Sequence, residues 1–170
     1  MEAIDSTNPE LNPKRPTFLL VICILSFIYL AFDGLGIIGG YVTGPDSAEA
    51  IKVETDALDK QMADLEAQGA TEWKPTIEKF KTMIVTLNRK FYYVQALNIL
   101  IFVIGVTGVV FMFIGRKLGF HLYIIYSLLS VCSYYFFMSP ATVPTVIIVF
   151  SAVLSGLFVF LYSRNLKWMR

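Results

Sequence analysis

The sequence predicts an all-α membrane protein: a four-transmembrane-helix bundle with an extramembrane helical hairpin between spans 1 and 2. Three observations predict it. The stretch 91–115 runs 25 residues without a charge and is closed by Arg116 and Lys117. As a helix it rises roughly 37 Å, enough to cross a hydrocarbon core of about 30 Å with some tilt. Of the 170 residues, 56% are hydrophobic and only 16% charged, against about 25% charged in soluble domains. The charges are also partitioned. Asp33 apart, they lie in the first 15 residues, in 44–90, at Arg116-Lys117 and in the last seven residues.

Residues 1–16 are polar, contain Pro9, Pro13 and Pro16, and end beyond Lys14-Arg15. They read as a disordered tail. The apolar run that follows is too long for the core of a cleaved signal peptide, so 17–43 is expected as a retained signal-anchor and first span. Within it, 34–39 spells GxGxxG. No strand precedes these glycines and no βαβ unit surrounds them, which excludes a dinucleotide fingerprint. Gly36-x-x-x-Gly40 is instead a helix-packing signature.

The segment 44–90 opens with a turn, Gly44-Pro45-Asp46-Ser47, that carries N-cap residues. A soluble helix follows to about Gln68, with Ile51, Leu58, Met62 and Leu65 on one stripe and acidic and basic residues opposite. Gly69 is its expected stop. After Trp73-Lys74-Pro75 a second amphipathic helix, with Ile77, Phe80, Ile84 and Leu87 on one side, is expected to run straight into the second span at Phe91. The pair forms a hairpin outside the bilayer or lies on its surface, and its spacing also permits pairing with a partner helix.

Within 91–170 the spans are predicted at about 91–115, 118–138 and 145–163, followed by a short basic tail. Pro140 and Pro144 break the chain between the last two. Lys14, Arg15, Arg116, Lys117, Arg164, Lys167 and Arg170 fall at one set of span ends, and the 138–144 loop has no base. The bias predicts a multi-pass protein with both termini in the cytoplasm. Tyr92, Tyr93, Tyr123, Tyr126, Tyr134, Tyr135, Tyr162 and Trp168 cluster near span ends, as interfacial aromatics do.

Asp33 is the one ionisable group deep in a span. Ser26, Tyr29, Asp33, Gly36 and Gly40 share one arc of the first helix at 100° per residue. Counting residues from the span ends puts Asn98, Ser130 and Ser151 near the same depth, which predicts an intramembrane polar layer of Asp33, Asn98, Ser130 and Ser151. Gly36, Gly40, Gly105, Gly108, Ser155 and Gly156 are the expected helix-packing positions. Three readings of Asp33 stay open: a proton or cation site, a neutral or hydrogen-bonded group that fixes helix register, and a counter-charge for a basic residue of another protein.

The chain is not expected to be an enzyme and no cofactor is implied. Cys23 and Cys132 both lie in apolar runs, and no CxxC or Cys/His cluster exists for zinc or dithiol chemistry. His121, near a span edge, reads as interfacial. Membrane hydrolase and metalloprotease readings fail for want of a second partner group. A net charge of +1 gives nucleic acid no footprint. The expected partners are the lipid bilayer and other membrane proteins or a second copy.

Lys14-Arg15-Pro16-Thr17-Phe18-Leu19-Leu20-Val21-Ile22-Cys23-Ile24-Leu25 and Gly115-Arg116-Lys117-Leu118-Gly119-Phe120-His121-Leu122-Tyr123 resemble segments of small, uncharacterised four-span inner-membrane proteins of Gram-negative bacteria. The resemblance covers the spans and not 44–90. It implies a tetraspan fold in the bacterial inner membrane, and supplies no activity or functional residues. The expected function is a non-catalytic accessory or assembly subunit of a membrane complex. The alternative is a small transporter or proton- or ion-conducting subunit that uses Asp33.

Overall fold

The computed structural model describes residues 17–169. The predicted tail 1–16 and Arg170 lie outside them. All regular structure among the described residues is helical: α1 (Thr17–Thr43), α2 (Ala48–Ala67), α3 (Lys74–Arg89), α4 (Phe91–Ile114), α5 (Lys117–Cys132) and α6 (Thr145–Ser163), with short 3₁₀ turns at Thr71–Trp73, Ser133–Phe136 and Leu166–Trp168. Four helical segments, at 17–43, 91–114, 117–136 and 145–163, are long and apolar enough to cross a membrane. Their outward faces agree. Phe32, Leu35, Ile38, Val149, Phe150 and Val153 are all exposed, an apolar exterior larger than a monomer in water tolerates.

The helix ends follow local chemistry. Gly44 takes the left-handed conformation (φ +73°) and its N–H donates to the Gly40 carbonyl at 2.8 Å, closing α1 just before Pro45. Gly115 does the same for α4 at φ +86°, while the Arg116 N–H reaches back to the Phe111 carbonyl at 2.8 Å. That cap leaves only Gly115 and Arg116 between α4 and α5, so the two helices must lie antiparallel and adjacent. Gly108 and Gly119 let them approach closely. A Cβ on Gly108 would sit 3.1 Å from the Tyr123 nitrogen and 3.3 Å from the Gly119 carbonyl oxygen, and one on Gly119 would meet the backbone of Met112. Gly105 is covered by the Tyr126 ring.

α1 packs on α4 through Leu19, Ile22, Cys23, Ser26 and Leu30, a stripe at three- and four-residue spacing. It meets Ile101, Val109 and Met112 of α4 and Phe120, Tyr123 and Tyr126 of α5 in one core. This core occupies the end of the bundle that holds the start of α1 and the end of α6. Towards the other end the helices loosen: no residue of α1 beyond Leu30 is buried, and the only buried residue of α6 is Tyr162. α6 therefore leans on α5 and touches α1 little.

Two expectations are corrected here. Tyr123, Tyr126 and Tyr162 are not interfacial; they are core residues, with Tyr162 wholly buried. The reason is that a polar partner awaits them inside: the Tyr162 hydroxyl and Ser26 Oγ are hydrogen-bonded at 2.8 Å, and the Tyr123 and Tyr162 rings stack edge-on at 4.9 Å. Tyr92, Tyr93, Tyr135 and Trp168 do lie exposed. The third apolar segment also does not stay α-helical to 138. It tightens into the 3₁₀ turn Ser133–Phe136, where Ser133 Oγ donates to the Ser130 carbonyl at 2.8 Å.

α2 and α3 pack on each other. Ser47 caps α2, its Oγ accepting from the Ala50 N–H at 3.1 Å, and Gly69 (φ +81°) ends the turn that follows. The predicted stripe, Ile51, Leu58, Met62 and Leu65 against Phe80, Ile84 and Leu87, is only half-buried, and Ile77 alone is fully covered. Polar contacts set the register. Lys81 Nζ lies 2.7 Å from Asp59 Oδ1, and Lys74 Nζ 3.1 Å from Glu66 Oε1. The hydrogen bond to Asp59 holds the Lys81 ammonium above its ordinary value, so this bridge is lost only as pH rises past the usual lysine range. Asn88 clamps the end of α3 to the start of α2: its Oδ1 accepts from the Asp46 N–H at 2.8 Å and its Nδ2 donates to the Asp46 carbonyl at 3.0 Å. Asn88→Ala removes both bonds, each worth about 1 kcal/mol net. It should speed amide hydrogen exchange across 46–51 and leave the apolar helices unchanged.

α3 was expected to continue unbroken into α4. Instead Lys90 leaves helical geometry (φ −105°, ψ 20°). Its ammonium donates to the Phe137 carbonyl at 2.8 Å, tying this junction to the α5–α6 connection.

Candidate functional site

The looser end of the bundle holds three adjoining cavities. Their polar side chains come from the helix registers just described. α1 presents Ser26, Tyr29 and Asp33 at three- and four-residue spacing, α4 presents Gln95 and Asn98, α5 presents Tyr126 and Ser130, and the 3₁₀ turn after it adds Ser133.

The middle cavity, about 210 Å³, is lined by Tyr29, Asp33, Asn98, Ile101, Tyr126, Ser130, Ser133 and Tyr134. Every lining side chain except Ile101 carries an oxygen. Asp33 and Asn98 are each half-buried in its wall. No lysine, arginine or histidine lines it.

On one side it adjoins a cavity of about 280 Å³ under α2 and α3, with Asn98 common to both; Asp46, Glu54, Asn88 and Gln95 are among the polar residues there. On the other side Tyr29, Tyr126 and Ser130 are shared with a cavity of about 250 Å³ between α1, α5 and α6, which reaches Ser26, Ser151 and Ser155. The series ends at the packed core, where Cys23, Met112 and Tyr162 are fully buried.

Of the predicted polar layer, Asp33, Asn98 and Ser130 therefore line one cavity. Ser151 does not reach it, because α6 leans away from α1; it lines the neighbouring cavity with Ser155. The expected packing positions also divide. Gly40 lies under the Gln95 side chain, which is buried against it, and Gly105 and Gly108 face α5. Among the described residues, Gly36 and Gly156 meet no other helix: nothing lies within 4 Å of a Cβ built on either. The α1–α4 contact turns past Gly36, and α6 faces α5 with its other side. His121 Nδ1 lies 3.1 Å from the Lys117 carbonyl on the outside of α5, far from the cavities.

Sequence reasoning missed Tyr126 and Tyr134 as cavity residues, and Gln95 as a buried one. A signal existed: Tyr123, Tyr126, Ser127 and Ser130 on α5, and Ser133 just after it, recur at three- and four-residue spacing, which marks a polar inner face on a helix whose outer face is apolar. Among the described residues no group of three or more His, Cys, Asp or Glu stands close enough to hold a metal ion.

The architecture is a helical bundle with four candidate membrane spans and three adjoining cavities. No protein-family model, no curated protein and no solved structure matches this chain.

Proposed function

We propose that this chain is a multi-pass integral membrane protein with four spans and an extramembrane hairpin formed by α2 and α3, and that it acts as a non-catalytic accessory or assembly subunit of a membrane complex. The observation that carries this reading is the unfilled flank of α6. A spanning helix in a self-contained bundle covers most of its inner face. Here Tyr162 is the one residue fully buried, Phe158, Val159 and Leu161 are partly covered, and the cavity between α1 and α6 is lined by Ser151 and Ser155 beside the uncontacted Gly156. Small and hydroxyl-bearing residues suit close approach of another helix in lipid. The basic residues Arg116, Lys117, Arg164 and Lys167 support a cytoplasmic location for that end. The resemblance at 14–25 and 115–123 supports a bacterial inner membrane.

The test is a photo-crosslinking residue placed at Ser155 in cells, followed by extraction in mild detergent. A stoichiometric adduct to one membrane protein, or to a second copy, supports the reading. Crosslinks to lipid alone would remove it.

A second reading, a small proton- or ion-conducting subunit using Asp33, is favoured by one observation: the acid lines a polar cavity that shares Asn98 with one neighbouring cavity and Tyr29, Tyr126 and Ser130 with another. Conduction across the whole bundle would have to open a path past Cys23, Met112 and Tyr162. Flux in proteoliposomes of the purified chain, abolished in Asp33→Asn, supports it; absence of flux rejects it.

A further inference from the structure

We propose that the middle cavity is a binding site for a small organic ammonium ion, with Asp33 as its counter-charge. The site is independent of any partner helix on α6 and does not require transport.

Charge comes first. Asp33 projects from a helix that is apolar on both sides of it, and no basic side chain lines its cavity or the neighbouring one under α2 and α3. An ionised carboxylate half-withdrawn from water needs a compensating cation. The neighbouring cavity is acidic as well: Asp46 and Glu54 line it, and Asn98 is common to the two. A cleft lined by one sign of charge concentrates ions of the other.

Size and wall chemistry then choose among cations. About 210 Å³ is the liquid volume of roughly seven waters at ~30 Å³ each. A bare inorganic ion fills little of that and needs several oxygens drawn tightly around it. An ammonium with short alkyl substituents fills it. The lining is mostly polar: Tyr29, Tyr126 and Tyr134 bring hydroxyls to it, and Asn98 and the serines bring further oxygens, for the hydroxyl or N–H groups that the ligand carries.

The probe is choline, measured by titration calorimetry on the full chain in nanodiscs. Its carbon isostere 3,3-dimethylbutan-1-ol has the same shape without the charge. Choline should bind, and the isostere at least tenfold more weakly. Asp33→Asn should weaken choline at least tenfold, and Tyr134→Ala should weaken it while sparing the fold, since Tyr134 lies outside the packed core. Equal binding of choline and isostere, full affinity in Asp33→Asn, or no choline binding at all each overturns the proposal; the last is the result expected of a protonated Asp33 in a water-filled void. If Asp33→Asn fails to fold, the comparison of choline with its isostere on the unaltered chain still decides the matter.

Discussion

Tyr162→Ala is expected to loosen α6 against the rest of the bundle. Tyr162 is the one buried residue on that helix. Its ring stacks on Tyr123 at 4.9 Å and its hydroxyl bonds Ser26 at 2.8 Å, so a single side chain joins α6 to both α5 and α1. Truncating a buried aromatic ring to alanine costs about 3–5 kcal/mol. For a chain of this size that is a fall in Tm on the order of 10 °C, read by circular dichroism in detergent. Tyr162→Phe separates the two contributions. It keeps the ring and removes the hydrogen bond between its hydroxyl and Ser26, at about 1 kcal/mol. A Tyr162→Ala protein as stable as the parent would mean that α6 is held elsewhere.

Gly119→Val should cost nearly as much, by a different route. The added side chain would meet the Met112 backbone nitrogen and the Gly108 carbonyl oxygen. These are main-chain atoms of α4, which the two-residue link Gly115-Arg116 ties to α5, so nothing can swing aside. Overpacking of this kind typically costs about 1–3 kcal/mol, and more where the neighbours cannot move. Gly36→Ala and Gly156→Ala are the matched controls. Both positions are helical and face open space, so alanine should be neutral or stabilise by up to about 1 kcal/mol. Loss of partner capture in either variant, at unchanged Tm, would locate the docking face on that helix.

Much of the layout was legible because charge and breakers are local signals. The charge-free run 91–115, its closure by Arg116-Lys117, the Gly44-Pro45 and Gly69 stops and the Pro140/Pro144 break all fall at or near observed helix ends. Which face of each helix turns inward was harder to read. In water, hydrophobicity separates core from surface; in lipid both are apolar, and the separation fails. Gly36 and Gly108 are both glycines inside apolar runs, yet one faces open space and the other a neighbouring backbone. Tyr123, Tyr126 and Tyr162 look interfacial by position and prove internal because Ser26 and the other polar side chains within the bundle can receive them. Asp33 and Asn98 could be placed together because depth follows from counting along a helix. Ser151 could not, because the lean of α6 is a tertiary fact with no local cause in the sequence.

The central claim is that four helices cross a bilayer with α2 and α3 held outside it on the side away from Arg116 and Arg164. The direct measurement is labelling of single cysteines by a membrane-impermeant maleimide in sealed, oriented vesicles, with Cys23 and Cys132 replaced. Glu54→Cys and Thr142→Cys should react from one side, and Arg116→Cys and Arg164→Cys only from the other. Reaction of Arg116→Cys and Arg164→Cys from opposite sides, or of Glu54→Cys together with Arg116→Cys, would contradict the account.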